Sequence, residues 1–378
     1  MTTLTEEQGM IIDMASKFTD DVLRPGAAGW EAAHSLDREV LQSLGELGFG
    51  GIYVSEDVGG SALSRLDAVL IFEQLSKGCV SHATFLSIHN MCAAMIDKFG
   101  SDELRKKFLP DMTTCQTIAS YCLTEPNAGS DAASLSTKAV RDGDDYVLNG
   151  SKVFISGGGY SDIYVVMART ADTGARGIST FIVEKDAPGL SFGKNEEKMG
   201  WRAQPTAMVM FDDCRIPASN RVGDEGSGFK YAMAGLDGGR LNISAGSLGG
   251  AQEALDRAVN YAKDRKQFGQ AIADFQATQF KLADMEIDLQ AARSYLYSAA
   301  SKLDAGAHDA TQACAGAKRF VTDTGFRVAN DALQIHGGYG YLSEYEVERI
   351  VRDLRVHQIL EGTNEIMRVI VSRALLTK

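Results

Sequence analysis

The hydrophobic period of this chain changes twice, near Ala119 and near Gly228, and that switch constrains the fold more than any single motif. From Thr5 to about Thr117 apolar residues recur at helical spacing, first Ile11, Met14, Ala15 and Phe18, then Val69, Leu70, Phe72 and Leu75. From Ala119 short β-rich runs follow one another: KAVRDGDDYVLNGSKVFISGG, DIYVVMART, ISTFIVEKD, LSFGKNEEKMGW and TAMVMFDDCRIP. After Gly228 the helical period returns, with Leu248, Leu255, Val259 and Ala262 on one face and Leu282, Met285, Leu289, Ala292 and Leu296 on another. At 378 residues the chain exceeds the size at which one core stops growing. The pattern predicts an N-terminal α-helical domain (1–118), a central antiparallel β-barrel or sandwich of six or more strands (119–228), and a C-terminal four-helix bundle (229–378).

Two local signals sharpen this outline. Asn149-Gly150 is the strongest single hairpin signal, since both central residues of that turn need positive φ. FGSDELRKKFLP reads as a helix capped by Ser101 and ended by Pro110.

Charge narrows the partners. The net charge of −12 and the lack of any run of five Lys or Arg leave no electrostatic footprint for nucleic acid or an anionic membrane, so an anionic ligand must be held by local groups. No uninterrupted apolar stretch approaches membrane length, and MTTLTEEQGMIIDMA lacks the basic and apolar regions of a leader. A cytoplasmic protein is expected, or a mature form already imported into an organelle. The six cysteines form no CxxC pair and read as buried free thiols, and the six histidines offer neither HExxH nor paired ligand spacing. His336 and His357 read as satisfied structural histidines.

Against this background Glu361, in ILEGTNEIMR, is the candidate base. Ile359 and Leu360 flank its carboxylate, and lost hydration raises a carboxyl pKa and makes it a better proton acceptor. Gly362 allows close approach of a ligand, Thr363 or Asn364 can cap the following helix, and the N–H groups at the junction can bind a carbonyl oxygen. The alternative is a helix-entry Glu favoured by the macrodipole. YCLTEPNAGSDAAS (121–134) joins a proline turn to small residues and hydroxyls, suiting a flat ligand or an ornate loop, and both Asn127 and Gly129 tolerate positive φ. FISGG (154–158) offers an aromatic and the Ser156 hydroxyl to a ring, unless Phe154 is a core residue. QIHGGYGY (334–341) ends a long helix in a bend whose amides can cradle a pyrophosphate or serve as a plain C-cap. Arg240 and Arg265 sit where a guanidinium can pair with phosphate, with solvated helix charges as the alternative. Neither GxGxxG nor GxxxxGK[ST] is present, so a dinucleotide would need another scaffold.

In this order and separation, YCLTEPNAGSD, FISGG, DRKQFGQAI, QIHGGYGY and ILEGTNE resemble the acyl-CoA dehydrogenase family over essentially the whole chain. The resemblance implies FAD as cofactor and Glu361 as the base that takes the α-proton of an acyl thioester while a β-hydride passes to the flavin. It implies that Tyr121, Cys122, Leu123, Thr124 and Ser130 line the flavin, with Ser130 also facing CoA, and that Phe154, Ile155 and Ser156 form a second flavin contact. Arg265, Phe268, Phe275, Gln276, Gln334, Ile335, His336, Gly337 and Gly338 match positions gripping adenosine and pyrophosphate, partly across a subunit interface. Thr363, Asn364 and Glu365 match a further FAD contact, and Asp237, Gly238, Gly239, Arg240, Gly362 and Arg373 match substrate contacts. The implied partners are an acyl-CoA, an electron-transfer flavoprotein and further copies of the chain in a homotetramer.

KMGWRAQPTAMVMFDD, DGGRLNIS and VRDLRVHQILEGTNEIMR resemble the short branched-chain branch of the family. This implies oxidation of isobutyryl-CoA to methacrylyl-CoA in valine breakdown, in the bacterial cytoplasm or the mitochondrial matrix. Butyryl-CoA or 2-methylbutyryl-CoA, an oxidase that passes electrons to oxygen, and a silent CoA-binding relative are the alternatives. Two departures stand out: Asn127 replaces the family's usual Gly, and Gly239 stands where isovaleryl-type relatives carry their base.

Overall fold

Side-chain caps set most of the early helix starts in the computed structural model, which describes residues 4–377. Thr5 and Gln8 form a capping box at α1 (Glu6–Phe18), and a π-turn over Thr19–Leu23 leads into α2 (Arg24–Ala33). Asp37 caps α3 (Arg38–Glu46), and Ser64 with Asp67 boxes α4 (Arg65–Gly78). Then come α5 (Val80–Phe99) and α6 (Asp102–Thr113). Ser101 does cap α6, but Pro110 lies inside it, and the helix runs on to Thr113 before it ends.

The middle of the chain is one eight-stranded sheet: β1 (Ala119–Cys122), β2 (Lys138–Asp142), β3 (Asp145–Ser156), β4 (Ile163–Arg169), β5 (Ile178–Glu184), β6 (Leu190–Phe192), β7 (Thr206–Pro217) and β8 (Arg221–Val222). Its order is β6-β7-β3-β2-β4-β5-β8, with β1 beside β4. The expectation of a purely antiparallel sheet is corrected here, since β1 and β2 both pair with β4 in parallel. The β2–β3 hairpin lies between β1 and β4 in sequence and supplies the crossover that a parallel pair requires. Asn149-Gly150 is not a turn either. Both residues lie within β3 at a bulge against β7, where Gly150 (φ 145) leaves room for Thr137 and Asn149 exchanges hydrogen bonds with Asp213. The β2–β3 turn is made instead by Gly143 (φ 63) and Asp144.

The last part holds α7 (Gly228–Asp264), a two-stranded ribbon of β9 (Lys266–Gln267) and β10 (Gln270–Ala271), α8 (Gln276–Asp304), α9 (Ala310–His336), α10 (Val347–Arg355) and α11 (Asn364–Leu376). α7 packs on α4, α5, α8 and α9. Its glycines cost helix propensity but permit close approach: a Cβ on Gly249 would sit 2.1 Å from the Glu73 carbonyl oxygen in α4. As a result the two helical parts of the sequence share one hydrophobic cluster reaching from Ala15 to Leu354. A second cluster joins α5 and α6 to the sheet, and a third lies within the sheet. All six cysteines are buried and unpaired. No helix among the described residues is long and apolar enough to cross a membrane.

Candidate active site

α10 and the 3-10 turn Val356–Gln358 deliver the chain to Glu361, which adopts left-handed backbone (φ 55), followed by Gly362 (φ 88). Thr363 then caps α11 by accepting from the Ile366 N–H at 3.3 Å. A left-handed glutamate is strained and persists only where its surroundings fix it. Lys318 of α9, fully buried, donates to the Gly362 carbonyl at 2.8 Å and to Asn364 Oδ1 at 2.9 Å. Arg240 of α7 lies 3.5 Å from the Glu361 carbonyl and pairs with Asp237 at 2.6 Å.

The Glu361 carboxylate rests over Gly239, where a Cβ would lie 2.1 Å from Oε2. That oxygen is sealed from solvent and has no hydrogen-bond partner. Burial pushes the carboxyl up to about 7, although the charges of Arg240 and Lys318 oppose the rise. Burial raises the phenols of Tyr121 and Tyr53, and the Glu361 charge adds to the rise. Among the described residues no backbone carbonyl accepts from the N–H of Glu361 or Gly362. A carboxylate oxygen sealed from solvent and two N–H groups without a backbone acceptor thus lie on adjacent residues.

The segment after β1 and the end of β3 also come together. Val153 N–H donates to the Thr124 carbonyl at 2.9 Å, and the buried Lys152 donates to the Leu123 carbonyl at 3.1 Å and to Glu125 at 2.7 Å. Burial alone would raise the Glu125 carboxyl, but Lys152 and the donors of Ser136 and Thr137 hold it down at about 2. Glu125 and Ala128 close a tight turn in which neither Asn127 nor Gly129 has positive φ. The expected left-handed turn is therefore absent, and asparagine at 127 meets no backbone penalty. Phe154 is no core residue. It is left-handed (φ 59) and 70% exposed, which leaves its ring free for a planar ligand. Ser156 accepts from Gln204.

Several expected contact residues turn elsewhere. Cys122 and Ile155 point into the sheet core, so only their backbone can meet a ligand. The Asn364 side chain is buried among Lys318, Thr322 and Asp323, and Arg240 is buried and paired with Asp237. Both hold the loop of Glu361 instead. Gly238 is packed beneath Arg65, while Ser130, Glu365 and Arg373 are exposed.

Arg265, Ile335, His336, Gly337 and Gly338 line a separate cavity of about 390 Å³ with Tyr261 and Tyr339. Here His336 stacks on Tyr261 and donates through Nδ1 to the Ala332 carbonyl of its own helix at 2.8 Å. Phe268 is 95% exposed on the β9–β10 ribbon and touches Phe275 edge-on; Gln276, at the start of α8, and Gln334, near the end of α9, are also exposed.

Lys152, Lys318 and the cavity of about 340 Å³ lined by Tyr53, Arg65, Met91, Met95 and Phe99 have no counterpart in the sequence reading. A lysine in an amphipathic pattern ordinarily reads as solvated, and these two are buried only because partners distant in sequence receive them. The cavity's walls come from α4, α5 and α7 with the turn at Tyr53, an assembly that no local pattern encodes.

Family models described as acyl-CoA dehydrogenase N-terminal, middle and C-terminal domains match residues 5–116, 120–214 and 226–376. The chain is 56% identical to an isobutyryl-CoA dehydrogenase, mitochondrial, of Dictyostelium discoideum, over 98% of this chain and 90% of that one. To the protein of the same name from Bos taurus it is 53% identical, over 99% and 90%. Among solved structures, a chain from work on the electron transferring flavoprotein of Acidaminococcus fermentans is 45% identical with a TM-score of 0.97, and both chains are covered completely. Butyryl-CoA dehydrogenase from Megasphaera elsdenii is 41% identical with a TM-score of 0.96, again over both whole chains. PigA with FAD and proline is 33% identical, with a TM-score of 0.96 over 99% of each chain.

Proposed function

The chain belongs to the acyl-CoA dehydrogenase family of oxidoreductases, and from that premise we propose that it converts isobutyryl-CoA to methacrylyl-CoA, with Glu361 as base and FAD as hydride acceptor. The observation that carries the chemistry is the sealed, partnerless Glu361 Oε2 over Gly239. The identities of 53% and 56% to two isobutyryl-CoA dehydrogenases carry the choice of acyl group.

The residues present fit a flavin. Phe154 offers an exposed ring, the Thr124 backbone is bonded to Val153 beside it, and Gln204 Oε1 is a buried acceptor still lacking a partner. Arg265 and the bend 337–338, in a cavity open beside Tyr339, suit the pyrophosphate and adenosine end. FAD bound there would supply the acceptor for a hydride and its two electrons. In our reading Glu361 removes the proton of the α-carbon as the hydride leaves a β-methyl, and the carboxyl is left protonated. The free N–H of Glu361 polarises the thioester carbonyl, and such a donor is typically worth about 3 kcal/mol. The sealing of Glu361 Oε2 from solvent sharpens both interactions. Arg240 and Lys318 fix the loop without touching the substrate.

The reduced flavin would pass its electrons to an electron-transfer flavoprotein. Exposed apolar side chains on α8 and α11, including Phe280 at 62%, Ile287 at 65% and Leu376 at 85%, support burial between subunits of a homotetramer. The reaction would serve valine breakdown in a bacterial cytoplasm or a mitochondrial matrix. Glu361→Gln tests the core of this reading: the variant should bind FAD yet stay oxidised when isobutyryl-CoA is added without oxygen. Reduction of that variant at the wild-type rate would remove Glu361 from the mechanism, and peroxide released at the turnover rate would make the enzyme an oxidase.

A further inference from the structure

Three non-glycine residues hold left-handed backbone in segments that bear on this site: Phe154 (φ 59), Trp201 (φ 52) and Glu361 (φ 55). The contacts of the Trp201 loop reach residues just after Phe154 and residues just before Glu361. Toward the end of β3, the Gly157 N–H donates to the Pro205 carbonyl at 2.8 Å, and Gln204 Nε2 donates to Ser156 Oγ. Toward the base, the Trp201 N–H donates to Asp353 Oδ1 at 2.6 Å and the indole Nε1–H donates to His357 Nε2 at 3.2 Å. His357 Nδ1 in turn lies 2.6 Å from Ser247 Oγ on α7. Gly200 runs so close to α10 that a Cβ there would fall 2.3 Å from the Arg352 carbonyl oxygen. Trp201, Gln204, Asp353 and His357 are all buried.

The donor chemistry leaves one arrangement. An indole can only donate, so His357 Nε2 must accept and the proton of the neutral ring resides on Nδ1. Burial, aided by the Lys318 charge, holds the imidazole down at about 3, so the contact does not titrate near neutrality. From His357 the chain runs through Gln358, Ile359 and Leu360 directly to Glu361.

Resting on the reading of Glu361 as base and of the β3 end as the flavin face, we propose that the loop 198–205 is a spacer between them, with Trp201 and His357 as positioning residues that set their separation. The chemistry depends on that separation, because the α-carbon must meet the carboxylate while the β-carbon meets the flavin, and a misplacement of about 1 Å can cost roughly 100-fold. Neither residue touches the substrate. Their effect is therefore confined to the rate of flavin reduction.

The test uses FAD-loaded Trp201→Phe, His357→Leu and His357→Gln, comparing flavin content, KM, the rate of anaerobic flavin reduction and amide hydrogen exchange at 154–160 and 356–363. We expect Trp201→Phe and His357→Leu to slow reduction about tenfold or more while flavin content and KM hold. His357→Gln, whose amide oxygen can accept from the indole, should recover most of the rate. Exchange should rise at both segments in Trp201→Phe. Wild-type reduction rates in the first two variants would overturn the proposal, and so would a parallel loss of flavin, KM and rate that glutamine does not rescue. If even the wild type is not reduced by an acyl-CoA, the reading of Glu361 falls, and exchange still decides the coupling: protection lost at both ends of the spacer upholds it, unchanged protection refutes it.

Discussion

Glu361→Gln should make the protein more stable as well as inactive, and the gain should depend on pH. In the folded protein the carboxyl is pushed up from 4.5 to about 7, chiefly by burial. A carboxyl whose folded pKa lies above its unfolded value contributes most to stability while both states are protonated, below about 4.5, and that contribution falls as pH rises to about 7. Above that window the loss is constant. At about 1.4 kcal/mol per tenfold change in proton affinity the shift bounds the penalty near 3 kcal/mol. The residue is only half-buried, so about 1–2 kcal/mol is the realistic share. Glutamine does not ionise and escapes this penalty. For a chain of this length the difference amounts to roughly 1–3 °C in Tm. Scanning calorimetry of FAD-loaded wild type and variant, at equal protein concentration and at pH 5 and pH 8, reads it directly. The variant's advantage should be larger at pH 8. An advantage that is equal at both pH values, or larger at pH 5, would refute the claim that burial of the Glu361 charge outweighs the attraction of Arg240 and Lys318.

Other changes have distinct signatures. The acid limb of kcat/KM should report an apparent pKa near 7, the deprotonation of Glu361, and Lys318→Met should move that limb upward because a charge that lowers the carboxyl pKa is gone; a limb near 4.5 in wild type would count against the assignment. Gly239→Ala puts a methyl where Glu361 Oε2 lies 2.1 Å away, so reduction should slow by at least about 100-fold with flavin retained, and unaltered rates would contradict the geometry. Lys152→Met leaves Glu125 buried without its partner and should cost about 3–5 kcal/mol together with loss of flavin, measured by denaturation and by flavin absorbance, whereas stable yellow protein would mean the pair is dispensable.

What the sequence made legible follows how local each feature is. Helical and strand periods are properties of short windows, so the order α, β, α could be read before any contact was known. Strand partners are not local: nothing in IYVVMAR says that β4 takes β1 on one side in parallel. Asn149-Gly150 misled because the dipeptide that makes a type I′ turn also suits a bulge, and the deciding partner is Asp213, far along the chain. The apolar neighbours of Glu361 announce a buried carboxylate, but its left-handed backbone and the carboxylate seat on Gly239 are not legible in them. That seat also gives physical content to the glycine at 239. A side chain there and the Glu361 carboxylate would occupy the same space, so one position can hold the base only if the other gives way.

The central claim is oxidation of a short branched acyl-CoA through Glu361, and anaerobic titration of the FAD-loaded protein with isobutyryl-CoA, butyryl-CoA and 2-methylbutyryl-CoA in parallel tests it most directly. Isobutyryl-CoA should bleach the flavin completely and fastest of the three. Faster bleaching by another chain would contradict the isobutyryl assignment, and a flavin-loaded protein that none of them bleaches would contradict the dehydrogenation itself.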